Sequence, residues 1–81
     1  MPFVYILQCS DHTLYTGYAL DLTKRIEQHN RGIASKYTRS RLPVECVYME
    51  EQATVGEALK REIEIKKLTR IQKLDLINSA K

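Results

Sequence analysis

The chain has no tryptophan and one phenylalanine, against five tyrosines. Packing alone is served as well by a phenyl ring, so this skew suggests that hydroxyls matter, although Tyr18, Tyr37 and Tyr48 also suit plain amphipathic packing. Only two cysteines are present, Cys9 and Cys46, with no CxxC pair and only two histidines. That argues against a zinc site and leaves two buried free thiols as the expectation. No apolar run approaches the ~18 residues that suggest a membrane span. The first residues, "MPFVYILQCSD", lack the basic n-region of a signal peptide, so a cytoplasmic protein with no membrane partner is expected. Internal repeats and low-complexity tracts are also missing.

Acidic residues are missing from one stretch in particular. Between Arg31 and Arg41, "RGIASKYTRSR" carries Arg31, Lys36, Arg39 and Arg41 and no carboxylate, in a chain whose net charge is +3. A basic loop with Tyr37 embedded in it can follow a phosphate backbone and stack on a base, or it can simply be a solvated surface loop.

With 81 residues the expectation is one domain over 1–81. At this size roughly 60–65% of the unfolded chain's surface is buried on folding, so the core is thin and buried charge is costly. "FVYILQC" (Phe3 to Cys9) reads as a strand, and "LYTGYA" after four polar residues as its hairpin partner. Asp21 caps a helix over Leu22 to Asn30, and Gly32 suits its exit. Pro43 opens a third strand, "VECVYME", in which Val44, Cys46 and Tyr48 alternate with Glu45, Val47 and Met49. "TVGE" fits a capping box, Thr54 as cap and Glu57 reaching back, for a helix from Val55 to about Leu68. "RIQKLDLI" closes the chain as a short helix that offers Ile71, Leu74 and Ile77 to the core. The order ββαβαα predicts an α+β fold, a small three-stranded antiparallel sheet flanked by helices.

Three polar residues fall in apolar places. At ~100° per residue, Arg25 and His29 lie within about 60° of Leu22 on the arc that Leu22 and Ile26 define as buried. They are i,i+4 neighbours, so their side chains can converge on one point. Snorkelling for Arg25 and a hydrogen-bonded edge position for His29 are the plain alternatives. On the next helix, Val55, Ala58, Leu59, Ile63 and Ile65 spread over the inward half with Glu62 near its middle, while Glu64 points away. An inward carboxylate needs a cation, a metal or a proton. Lys66 is a possible partner at i,i+4, and a hard cation such as Mg²⁺ is another. Tyr5 and Tyr15, on the two hairpin strands, can point to one face, with Gly17 leaving space beside Tyr15.

"VYI" (Val4 to Ile6), followed about ten residues later by "YTG" (Tyr15 to Gly17), resembles the motif pair of the GIY-YIG nuclease superfamily. The resemblance continues through "DLTKRIEQHN", "SKYTRSRLPVECVYMEE" and "ALKREIEIK", almost the whole chain, and is greatest to the small stand-alone bacterial members. Val4 replaces the first motif's glycine and Thr16 the second motif's isoleucine, both side positions. The resemblance implies Tyr5 and Tyr15 as active-site tyrosines, Arg25 and His29 as the helix arginine and histidine, and Glu62 as ligand of Mg²⁺ or Mn²⁺. It implies an endonuclease-like domain hydrolysing phosphodiesters with low sequence specificity, in DNA repair or processing. Nucleic acid is then the partner, DNA ahead of RNA, with Lys36, Tyr37, Arg39 and Arg41 as contacts and a protein partner conceivable for targeting. The alternative is a binding domain of the same fold that cleaves little alone.

Overall fold

The computed structural model describes residues 1–80. Strand β1 (Phe3–Gln8) is the centre of a three-stranded antiparallel sheet of order β2-β1-β3, with β2 spanning Leu14–Ala19 and β3 Glu45–Glu51. A central strand between two helical layers is buried on both faces, which is why Val4 to Leu7 form an unbroken apolar run. Val4 and Ile6 face one layer, with Ala58, Ile65 and Ile77. Tyr5 and Leu7 face the other, with Ala19, Val44, Leu22 and Ile26. Each fully buried aliphatic side chain contributes roughly 1.5–3 kcal/mol, so the few residues of these two clusters carry most of the core.

The hairpin turn is held by Asp11, whose carboxylate accepts from the Thr13 backbone N–H at 3.1 Å and its hydroxyl at 2.6 Å. Helix α1 (Leu22–Asn30) starts where expected, the Asp21 carboxylate accepting from Lys24 N. Its far end is clipped to the entry of β3: the Asn30 amide donates to Val44 O at 3.1 Å and accepts from Val44 N at 2.8 Å.

Several expectations need correction. The basic stretch is not all loop: Ser35 caps a one-turn helix, α2 (Lys36–Arg39), its hydroxyl accepting from Tyr37 N. Alternation along β3 breaks at a bulge, since Ile6 pairs with Tyr48 and Leu7 with Cys46, leaving Val47 as the extra residue. Tyr48 therefore joins Val47 on the face of Val4 and Ile6, while Cys46 stays on the other. Both cysteines are free, Cys9 buried and Cys46 half-buried. In α3 (Val55–Lys66) the Thr54 hydroxyl accepts from Glu57 N, and the box with both reciprocal bonds is instead Thr69 with Gln72, opening α4 (Arg70–Ser79). Only Ala58 and Ile65 of α3 are buried, whereas Val55, Leu59 and Ile63 are exposed. The narrow sheet takes one stripe of that helix. Of the expected α4 anchors Ile77 is buried, Ile71 is exposed, and Leu74 is largely so. Leu76 packs on the core in their stead.

Candidate active site

Tyr5 and Gly17 are directly opposed across the β1–β2 ladder. The missing side chain at 17 is filled by the phenol of Tyr5, whose hydroxyl lies 2.6 Å from where a Cβ would stand. The space at Gly17 thus serves the neighbouring strand's tyrosine, not an approach beside Tyr15.

Helix α1 delivers Arg25 and His29 to that same hydroxyl. His29, 1% exposed, has its Nε2 2.9 Å from the Tyr5 hydroxyl and its Nδ1 2.9 Å from the Thr38 hydroxyl. Arg25 is half-buried, and its charge acts on the Tyr5 phenol. Of the two i,i+4 neighbours, His29 meets the phenol oxygen directly and Arg25 acts on it through its charge. Tyr15 meets His29 edge-on with ring centroids 5.3 Å apart, and stacks on Tyr37 at 5.9 Å. Tyr5 and His29 are buried next to this layer. An open recess of about 330 Å³ adjoins Arg25, lined also by Tyr18, Asp21, Lys24 and Gln28.

The electrostatics are set mainly by burial. Tyr5 is pushed up to about 12, first by burial, then by Tyr15, with Arg25 pulling the other way and Glu62 adding a smaller upward push. It is therefore a phenol, not a phenolate, at neutral pH. Burial, and then the Arg25 charge, hold the His29 imidazole below its usual range, so it is neutral there. A neutral imidazole beside a protonated phenol is a proton acceptor beside a donor.

Glu62 lies on α3. Its side chain is 15% exposed and lies 3.7 Å from Lys66 Nζ, so the i,i+4 partner is present at the outer limit of an ion pair. Its charge is also close enough to act on Tyr5. Among the described residues no group of three or more His, Cys, Asp or Glu side chains is placed to hold a metal ion. A cation here would have one protein carboxylate and fill its remaining positions with water and substrate oxygens. That fits Mg²⁺, which keeps several waters and takes one or two carboxylates.

The basic candidates divide. Lys36 and Arg39 are exposed and make no ion pair among the described residues. Arg41 is committed: its Nε meets Asp11 at 3.0 Å, its Nη1 donates to Tyr37 O at 2.7 Å, and its guanidinium covers the Tyr37 ring at 4.0 Å. Reading the sequence alone missed two contributors. Thr38 was hidden because a single helical turn is too short to show a period. Asn30, at the end of α1, gave no pattern signal at all.

The fold and this polar cluster place the chain among nuclease-type domains, and comparison makes the class specific. The chain belongs to the GIY-YIG family, residues 1–75 matching the GIY-YIG catalytic domain. It is 60% identical over 75 residues to a UPF0213 protein of Staphylococcus aureus strain Mu3, covering 93% of this chain and 92% of the relative. Among solved structures it is similar to the UPF0213 protein of Bacillus halodurans, at 40% identity and TM-score 0.62, covering 96% of this chain and 84% of that one. The protein EF2693 from E. faecalis is similar at 38% identity and TM-score 0.64, covering 95% of this chain and 82% of that one. Among the described residues no helix is long and apolar enough to cross a membrane.

Proposed function

We propose that this domain is a divalent-cation-dependent endonuclease that hydrolyses nucleic-acid phosphodiesters. The observation that carries it is the His29 hydrogen bond to the buried Tyr5 hydroxyl, with the Arg25 and Glu62 charges both acting on the same phenol. Glu62 would hold Mg²⁺ or Mn²⁺, which supplies Lewis-acid polarisation of a phosphate oxygen when bound. Lys66 has to release Glu62 for that, and at 3.7 Å it holds it loosely.

The chain's own residues then divide the work. Arg25, beside the open recess, faces the scissile phosphate and stabilises the extra negative charge of the transition state. Tyr5 cannot act as a resting phenolate, because burial keeps it protonated. It carries a proton instead. As the attacking water bonds to phosphorus, one water proton passes to the Tyr5 oxygen and the Tyr5 proton passes to His29 Nε2. His29 ends the step as imidazolium, and the 3′ oxygen leaves with the electrons of the broken P–O bond. Tyr15 closes the site over His29 and orients the water or phosphate.

Lys36 and Arg39 supply backbone contacts, which position a nucleic acid without reading its sequence. Arg41 and Tyr37 join them only where a phosphate draws Arg41 from Asp11. Low sequence selectivity follows from such contacts; the preference for DNA over RNA and a role in repair or processing rest on the family resemblance alone. A second reading has one observation in its favour: Glu62 already pairs with Lys66. On that reading the domain binds nucleic acid, cleaves little alone, and acts with a protein partner.

The test is a labelled panel of duplex, nicked, branched and single-stranded DNA and RNA, incubated with Mg²⁺, Mn²⁺ or EDTA. Metal-dependent cleavage across unrelated sequences supports the endonuclease. Salt-sensitive binding with no cleavage under any metal supports the second reading.

A further inference from the structure

Thr38 is completely buried and lies on none of the surfaces assigned to substrate. Its hydroxyl sits 2.9 Å from His29 Nδ1 and donates to Ser35 O at 3.4 Å. The turn that carries it exists because Ser35 caps it, with Lys36 and Arg39 turned to solvent on the same turn. We propose that Thr38 is a positioning residue, holding His29 in the Nδ1–H tautomer so that Nε2 keeps its lone pair for the Tyr5 proton.

The argument comes from both ends of a hydrogen-bond chain. At one end, the Tyr5 hydroxyl is buried, and its hydrogen-bond partner is His29 Nε2. The phenol proton needs an acceptor, because an unpaired buried donor is costly. His29 Nε2 is the hydrogen-bonding atom at 2.9 Å, so it has to be unprotonated. In a neutral imidazole the proton is then on Nδ1. At the other end, the Thr38 hydroxyl can accept that N–H because its own proton has the Ser35 carbonyl. The opposite tautomer would make His29 the donor to the Tyr5 oxygen and leave the phenol proton without a partner in this set.

The inference rests on the proposed proton path from Tyr5 to His29, yet the tautomer can be read without turnover. The experiment is ¹⁵N NMR of the histidine ring at pH 7.5 in wild type, Thr38→Val and Thr38→Ser, with folding followed by circular dichroism. Valine keeps the shape of threonine and removes the hydroxyl; serine keeps the hydroxyl. A protonated Nδ1 and a lone-pair Nε2 are expected for His29 in wild type and in T38S, and a mixed or reversed pattern in T38V. Cleavage should fall at least about tenfold in T38V, within the ~10²–10⁴ that a positioned acid–base group contributes, and recover in T38S. A wild-type His29 protonated on Nε2 overturns the proposal, whatever the variants do. So does a folded T38V whose tautomer and cleavage both match wild type. The expected tautomers with no cleavage in any of the three proteins would uphold the positioning role and defeat the nuclease reading.

Discussion

The phenol of Tyr5 is shaped by neighbours from distant parts of the chain: Gly17 beneath the ring, Arg25 and His29 from α1, and Glu62 from α3. Gly17→Ala places a Cβ 2.6 Å from the hydroxyl and 2.8 Å from Cζ of a ring that is itself buried. Overpacking of this kind costs about 1–3 kcal/mol, which urea unfolding will show as a lower midpoint. Tyr5→Phe in that background should recover part of the loss, because it removes the nearer of the two atoms. His29 gives a pH signature. Its folded-state pKa is lowered, by burial and then by Arg25, so the unfolded chain binds more protons as pH falls below the ordinary histidine range near ~6.5. The stability it contributes is present above that range and is lost as pH drops through it. Unfolding free energy should therefore fall more steeply from pH 7.5 to 5 in wild type than in His29→Gln. Arg25 and His29 were legible from the helical wheel because a charged arc beside Leu22 and Ile26 is a local pattern. Thr38 was not, since its role depends on two segments meeting in space.

Helix α3 is the element that brings Glu62 to the sheet, and it is steered by the residue next door. Arg61 and Glu62 straddle the buried stripe of Ala58 and Ile65. On one side Arg61 Nε meets Glu50 at 2.6 Å, and the same carboxylate takes Gln52 at 2.8 Å and the Tyr48 hydroxyl. On the other side lies Glu62, whose charge acts on Tyr5. Glu50→Gln should loosen this anchor. With side chains 33% and 20% exposed, the pair is screened by water, and about 1 kcal/mol of stability is at stake. The sharper readout is the Mg²⁺ concentration for half-maximal cleavage, which should rise as α3 loses its fixed rotation. At this scale the sequence was readable where start signals are chemical: Asp21 and Thr54 cap the helices expected of them. It misled where periodicity was asked to decide burial. Val55, Leu59 and Ile63 are apolar at helical spacing, yet no second layer covers them. The bulge at Val47 is equally invisible to a rule of alternation, because one extra residue resets the phase.

Over the whole molecule, the α+β architecture was legible because alternation, turn residues and caps agree with one another in nearly every segment. Charge is distributed so that the acid-free stretch lies on α2 and its flanks, next to Tyr15 and His29. Its cations are unequal, and this could not be seen before the fold was known: Arg41 is held by Asp11 and Tyr37, while Lys36 and Arg39 are free of ion pairs among the described residues. Replacing Lys36 and Arg39 together by alanine should weaken nucleic-acid binding uniformly across sequences. It should also flatten the plot of log affinity against log salt by about 2, measured by fluorescence anisotropy. Arg41→Ala should change that slope less.

The central claim is that Arg25, Tyr5 and Glu62 form one hydrolytic site. It is tested most directly by single-turnover cleavage of a labelled substrate in Mg²⁺ by wild type, Glu62→Gln and Arg25→Ala, each shown to be folded. The account predicts metal-dependent cleavage by wild type and a loss of roughly 10²–10³-fold or more in each variant, the scale for removing a group that stabilises transition-state charge. Undiminished cleavage by folded Glu62→Gln would contradict it.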